Sequence, residues 1–231
     1  MSRDTLHPAY ILHRRPYSNT SLLLELFAPE LGRLPALAKG AVAPRRSQSA
    51  LLQPFQPLLI RLSGGGEVKT LIHSEADRAA LPLRARRLYC GFYLNELLVR
   101  LLPRHDPHPP LYHHYASALQ QLVEQEALEP TLRRFEMILL QQLGYAPTFD
   151  RLLGSQEPLQ AESWYHYSIE EGALPTTADR PAAVRGRTLL ALAGGRRELG
   201  REERQQARQL MRTLLQHYLG ERPLKSRELF L

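Results

Sequence analysis

Four histidines, His105, His108, His113 and His114, stand close together with Asp106 in RHDPHPPLYHH. Histidines this close can bind a metal ion. Pro107, Pro109 and Pro110 stiffen the segment but define no ligand geometry, and no supporting partners are recognisable. A solvated loop is the simpler reading, and no metal ligand is assigned. GGGEVKT, from Gly64, resembles a phosphate loop but lacks a glycine immediately before Lys69. It reads as a hairpin turn. Ser, His and Asp occur without a nucleophile elbow. Cys90 lies among apolar residues of a helical stretch, where a thiol is usually inert core. No paired carboxylates stand out, and no enzyme activity and no cofactor are expected.

The remaining chemistry is electrostatic. ALAKGAVAPRRSQSALLQPF, from Ala36 to Phe55, is apolar at both ends and basic between, with Lys39, Arg45 and Arg46 and no acid. Such a loop is either solvated or holds an anion. Arg14, Arg15 and Arg33 are candidates for the same surface. Tyr17 and Phe55 are the aromatics near it, Phe55 reading more as core.

The elements that must position these residues change character along the chain. Up to about residue 78, five short apolar segments are separated by Gly, Pro, Ser and Asn: AYILH, SLLLELF, LPALA, QPFQPLLIRL and VKTLIHS. They predict a small antiparallel barrel whose loops are the usual binding elements. The basic loop then joins strands 3 and 4. Pro35, Pro54 and Pro57 must sit at strand ends or edges.

From about Leu83 the period becomes helical. RARRLYCGFYLNELLVRLL predicts a first helix with Leu88, Phe92, Leu94, Leu97, Leu98 and Leu101 near one face. LYHHYASALQQLVEQEAL predicts a second. EPTLRRFEMILLQQLGY predicts a third, with Pro130 in its first turn and Gly144 as its stop. Residues 145–183 are irregular apart from a strand-like SWYHYSI. A short helix over AVRGRTLLALAGG and a long amphipathic one ending at Gly220 complete the chain.

The chain has 231 residues and a formal net charge of +7, with Arg supplying most of the cations. A surplus of that size favours a polyanionic partner, nucleic acid or an acidic protein tail. It is uneven: residues 1–60 carry seven cations against three acids, and residues 151–180 two against five. One cysteine excludes an internal disulfide and a four-cysteine zinc site. No segment reads as a signal peptide or a membrane span, so a cytoplasmic protein without membrane contact is expected.

Five phrases in order, YILHRRPYSNTSLLLELFAPELGRLPALAKGA, LLQPFQPLLIRLSGGGEVKTLIHSEA, LYCGFYLNELLVRLLP, EPTLRRFEMILLQQLGY and RPLKSRELF, resemble the bacterial DNA repair and recombination protein family RecO. The resemblance covers nearly the whole chain. It implies an α+β protein: an N-terminal OB-fold barrel over residues 1–79 and a mainly α-helical domain over residues 80–231. The latter would include a zinc-finger-like insert at about 145–183. In many relatives four cysteines hold zinc there; this insert has none and must be held by packing or hydrogen bonds.

The same resemblance implies a non-catalytic recombination mediator, nucleoid-associated. It would bind single- and double-stranded DNA and anneal strands. It would bind the acidic C-terminal tail of single-strand binding protein (SSB) and, with RecR, help RecA load onto SSB-coated DNA. The expected DNA surface is Lys39, Arg45, Arg46, Arg14, Arg15 and Arg33. The expected tail site is the third helix, with Leu132, Phe135 and Leu139 as an apolar stripe and Arg133 and Arg134 as its rim. The same stripe reads equally as core, with Arg133 paired to Glu129. Arg84, Arg86 and Arg87 are the fallback for the tail. Two rival readings are an adaptor for acidic tails that does not touch DNA, and an enzyme using the histidines as a metal site.

Overall fold

A computed structural model describes residues 5–42, 48–194 and 199–230. The chain forms two compact units: Met1–Glu126 with Leu224–Leu231, and Ala127–Pro223.

The first unit contains the barrel. Strands β1 (His7–Pro16), β2 (Leu22–Ala28), β3 (Gly32–Ala38), β4 (Leu58–Ser63) and β5 (Lys69–Ala76) close in the order β1-β2-β3-β5-β4. In β2 the alternation is direct: Leu22, Leu24 and Leu26 enter the core while Leu23 and Glu25 face outward. The β3–β5 junction is parallel and only two pairs long, Ala36 with Lys69 and Leu37 with Thr70. Pro35 sits mid-strand in β3, just where that junction has not begun, so its missing N–H deprives no β5 partner. Pro54 and Pro57 precede β4.

In β1 the alternation fails, because Ala9 to Leu12 are all buried. One face is barrel core. On the other, Tyr10 packs against Tyr112 and Tyr115, with ring centroids 5.6 and 5.2 Å away. Those rings come from α2 (Pro109–Glu124), beside α1 (Arg86–Leu101). Asn95 of α1 is buried but satisfied: its Nδ2 donates to the Leu12 carbonyl at 2.9 Å, and its Oδ1 accepts from the Tyr115 hydroxyl at 2.6 Å. Buried polar groups need such partners. The buried side of α1 includes Cys90, Tyr93, Leu94, Leu97 and Leu98, whereas Leu88, Phe92 and Leu101 are half-buried. Thus α1 and α2 are compact with the barrel.

Two close approaches fix this unit. Gly32 has φ +68°, and a Cβ there would lie 2.1 Å from the Asp106 carbonyl oxygen, so only glycine allows the 104–106 segment to reach the β2–β3 turn. Phe55 is buried against Phe92, ring centroids 5.2 Å apart, and is core as the apolar flank implied.

The second unit holds α3 (Leu128–Gln142), α4 (Gly186–Leu192), α5 (Arg201–Leu219) and a three-stranded sheet in the order β7-β6-β8. The strands are β6 (Trp164–Ser168), β7 (Gly172–Thr176) and β8 (Val184–Arg185). The insert is held by apolar packing and hydrogen bonds. Phe149, Leu159 and Tyr165 are buried. Phe149 meets Tyr167 edge-on at 4.9 Å. The Tyr165 hydroxyl accepts from the Gln160 N–H at 2.9 Å. Burial pushes the Tyr167 hydroxyl up to about 12, against a bond with the Thr148 backbone. Trp164 lies under the Arg185 guanidinium, 4.2 Å from its ring centroid.

The chain returns to the first unit at Leu224 as a 3-10 helix, Lys225–Phe230. Its first N–H groups, from Lys225 and Ser226, donate to the Glu96 carboxylate at 2.9 and 2.8 Å. Lys225 and Ser226 therefore open an anchored element.

Candidate nucleic-acid interface

Because β2 pairs antiparallel with both β1 and β3, the β1–β2 turn and the β3–β4 connection leave the barrel at the same end. Arg15, exposed, lies at the end of β1, and Lys39, exposed, just past β3. The Val42 N–H donates to the Thr20 carbonyl at 3.0 Å, tying the two segments together. Neither residues 13–23 nor residues 36–57 contain an acid. Arg45 and Arg46 lie outside the described residues.

Two of the expected DNA ligands are committed elsewhere. Arg14 is half-buried, and its Nη1 donates to the Ser49 and Leu52 carbonyls at 3.0 and 3.1 Å. It braces the connection from beneath. Arg33 departs further from expectation: its side chain is 12% exposed, ion-paired with Glu25 and bonded to the Leu102 carbonyl at 2.9 and 2.7 Å. A cation spent on a carboxylate and a carbonyl has few donors left for phosphate, so Arg33 drops from the surface. Glu25 also meets Arg104, which reaches Glu67 of the β4–β5 hairpin at 2.6 Å. This network holds the opposite end of the barrel.

The α3 groove does not form as expected. Leu132, Phe135 and Leu139 are 8%, 1% and 0% exposed and belong to the core of the second unit. Helical spacing identifies an apolar face but not whether it is open. Arg133 pairs with Glu136, fully buried, at 2.8 Å, not with Glu129, which instead takes Arg208. Arg134 is exposed. Of the fallback cations, Arg87 donates to the Leu122, Val123 and Gln125 carbonyls at the end of α2, at 2.5, 2.9 and 2.9 Å. Arg84 and Arg86 remain exposed.

Among the described residues no three His, Cys, Asp or Glu side chains converge as a metal set. His108 meets Asp106 at 3.1 Å, and His113 and His114 are exposed on α2. In the first unit a cavity of about 210 Å³ is lined by Glu30, Leu34, Lys69 and His105; in the second, one of about 490 Å³ is lined by Met137, Asp150, Leu153 and Ala193. A polymer bound through its phosphates needs a cationic surface, not a cavity.

A closed five-stranded barrel in the order β1-β2-β3-β5-β4, with helices following it, defines an α+β protein with an N-terminal barrel of OB type. Residues 1–78 match the family model described as Recombination protein O N terminal, and residues 83–228 that described as Recombination protein O C terminal. The chain is 47% identical over 229 residues to the DNA repair protein RecO of Methylococcus capsulatus, covering 99% of this chain and 94% of that one. It is 45% identical to the DNA repair protein RecO of Haemophilus influenzae, over 99% of this chain and 96% of the relative. It is also 45% identical to that of Cellvibrio japonicus, over 99% and 97%. The chain belongs to the RecO family, and its role is in DNA repair. Among the described residues no helix is long and apolar enough to cross a membrane.

Proposed function

We propose that this chain is a non-enzymatic recombination mediator that binds single- and double-stranded DNA and anneals complementary strands. With RecR, it helps RecA load onto SSB-coated single strands. The observation that carries the DNA-binding part is the cationic barrel end: Arg15 and Lys39 are exposed on two segments tied by the Val42–Thr20 bond, with no acid in either. Arg45 and Arg46 extend the same loop in sequence. Cations there replace the counterions condensed on phosphates, and releasing those ions drives binding without reading sequence. Annealing asks more, since two like-charged strands must be neutralised together.

RecR, RecA and SSB enter through membership of the family. The acidic SSB tail would meet exposed cations such as Arg134, the buried stripe of α3 being closed to it. The test is annealing of two complementary labelled oligonucleotides, followed by energy transfer. The protein should accelerate pairing, and a Lys39/Arg45/Arg46 triple alanine variant should lose most of the acceleration. Pairing no faster with protein than without it contradicts the reading.

A further inference from the structure

One large aromatic side chain at the basic end is left mostly in solvent. Tyr17 is 64% exposed, the most exposed large hydrophobic side chain among the described residues. Its backbone is nonetheless fixed. Pro16 restricts the chain entering the turn. The Tyr17 N–H donates to the Ser21 carbonyl at 3.0 Å, and Ser18 and Ser21 exchange bonds at 3.4 Å. The Thr20–Val42 bond then places the Lys39 turn alongside, and Arg15 stands two residues before the ring. The result is an aromatic face on a pinned turn, between two segments that carry Arg15 and Lys39 and contain no acid.

We infer that Tyr17 is a stacking platform for an unpaired base, and that it makes this end of the barrel favour single strands over duplex. This rests on the DNA-binding reading above. Every base has a π-face, so a ring at this position takes any base without reading it. In a duplex both faces of a base are already covered by its neighbours, and the ring finds nothing to stack on. A duplex therefore meets the cations alone, whereas a single strand meets the cations and the ring. The hydroxyl has no part in this, so phenylalanine should serve equally.

The experiment is fluorescence anisotropy with a labelled oligothymidine and with a blunt duplex of the same length, at one salt concentration, for the wild type, Tyr17→Ala and Tyr17→Phe. Tyr17→Ala should weaken single-strand binding about tenfold, within the range for one stacked base, and change duplex binding by less than about twofold. Tyr17→Phe should bind as the wild type. The salt dependence of Tyr17→Ala should match the wild type, because every phosphate ligand is still in place. Unchanged single-strand affinity in Tyr17→Ala overturns the inference, as do equal losses on both DNA forms. A wild type that binds neither form overturns the DNA-binding reading as well, so the two failures are distinguishable.

Discussion

Glu96 of α1 accepts from the Ser226 N–H at 2.8 Å, although 130 residues separate the two in sequence. With the Lys225 N–H on its other oxygen at 2.9 Å, the carboxylate closes the start of the terminal 3-10 helix and ties the end of the chain to α1. Burial, the largest single influence, opposes ionisation of Glu96; Ser226, Lys225 and Arg100 together outweigh it and hold the carboxyl below its ordinary value. The buried Ser226 hydroxyl stands beside the same carboxylate and, with the two N–H groups, favours its ionised form.

Glu96→Ala should therefore destabilise the first unit by about 1.5–3 kcal/mol, the range for hydrogen bonds to a charged group. Because the folded pKa is depressed, the carboxylate's contribution is fully present above the ordinary value of about 4.3 and is lost as pH falls through the lower folded value. Urea unfolding at pH 7 and at pH 3 checks both. The gap between wild type and variant should be large at the first pH and shrink at the second.

The Leu12–Asn95–Tyr115 chain of hydrogen bonds links β1, α1 and α2 in a buried setting. Tyr115→Phe should cost about 1 kcal/mol, and Asn95→Ala about 2–3 kcal/mol because it strands two buried groups. Equilibrium unfolding in urea measures both. Equal, negligible losses would mean that water replaces these bonds easily.

Arg33 and the basic loop should separate cleanly. Arg33→Ala should lower stability by about 3 kcal/mol, since it removes the cation from a mostly buried pair, and leave the salt dependence of DNA binding unchanged. Thermal melting and a salt titration on the same preparation distinguish a structural cation from a phosphate ligand.

Arg133→Ala should likewise destabilise the second unit by about 3 kcal/mol, because Glu136 is fully buried beside it. Arg134→Ala, at an exposed position, should shift stability by less than about 0.5 kcal/mol. A melting curve for each variant decides it.

The insert should not depend on metal. Phe149, Leu159 and Tyr165 pack its interior, and Leu153 lies over Gly172, where a Cβ would come within 2.9 Å of it. EDTA should leave the melting temperature unchanged. A marked fall on chelation would point to histidine ligands.

The five barrel strands were legible because short apolar segments set between turn residues specify them locally, even where, as in β1, alternation fails. The four long helices, α1, α2, α3 and α5, were legible from their period. Strand β7 was not, since GALPT has a proline and no alternation. The compaction of α1 and α2 with the barrel was also hidden, because a period shows a face but not its partner. Charges followed the same rule. Glu25 and Arg33 were recoverable in principle: a turn at Pro29–Gly32 pairs Glu25 with Pro35, which puts Arg33 on a diagonal across the hairpin. Arg133 and Glu136, three residues apart on one helix, carried a similar signal. Nothing in the sequence announces Asn95 with Tyr115 or Glu96 with Ser226, because those pairs exist only once distant elements have packed.

The central claim, a cationic barrel end that neutralises DNA phosphates, is tested most directly by measuring affinity for a labelled oligothymidine across salt concentrations of about 50–200 mM. For the wild type, log K should fall linearly and steeply with log salt. For the Lys39/Arg45/Arg46 triple alanine variant the affinity should be weaker and the slope shallower by up to about 2, about 0.7 for each phosphate no longer neutralised. A wild type whose affinity ignores salt, or a triple variant with wild-type affinity and slope, would contradict the account.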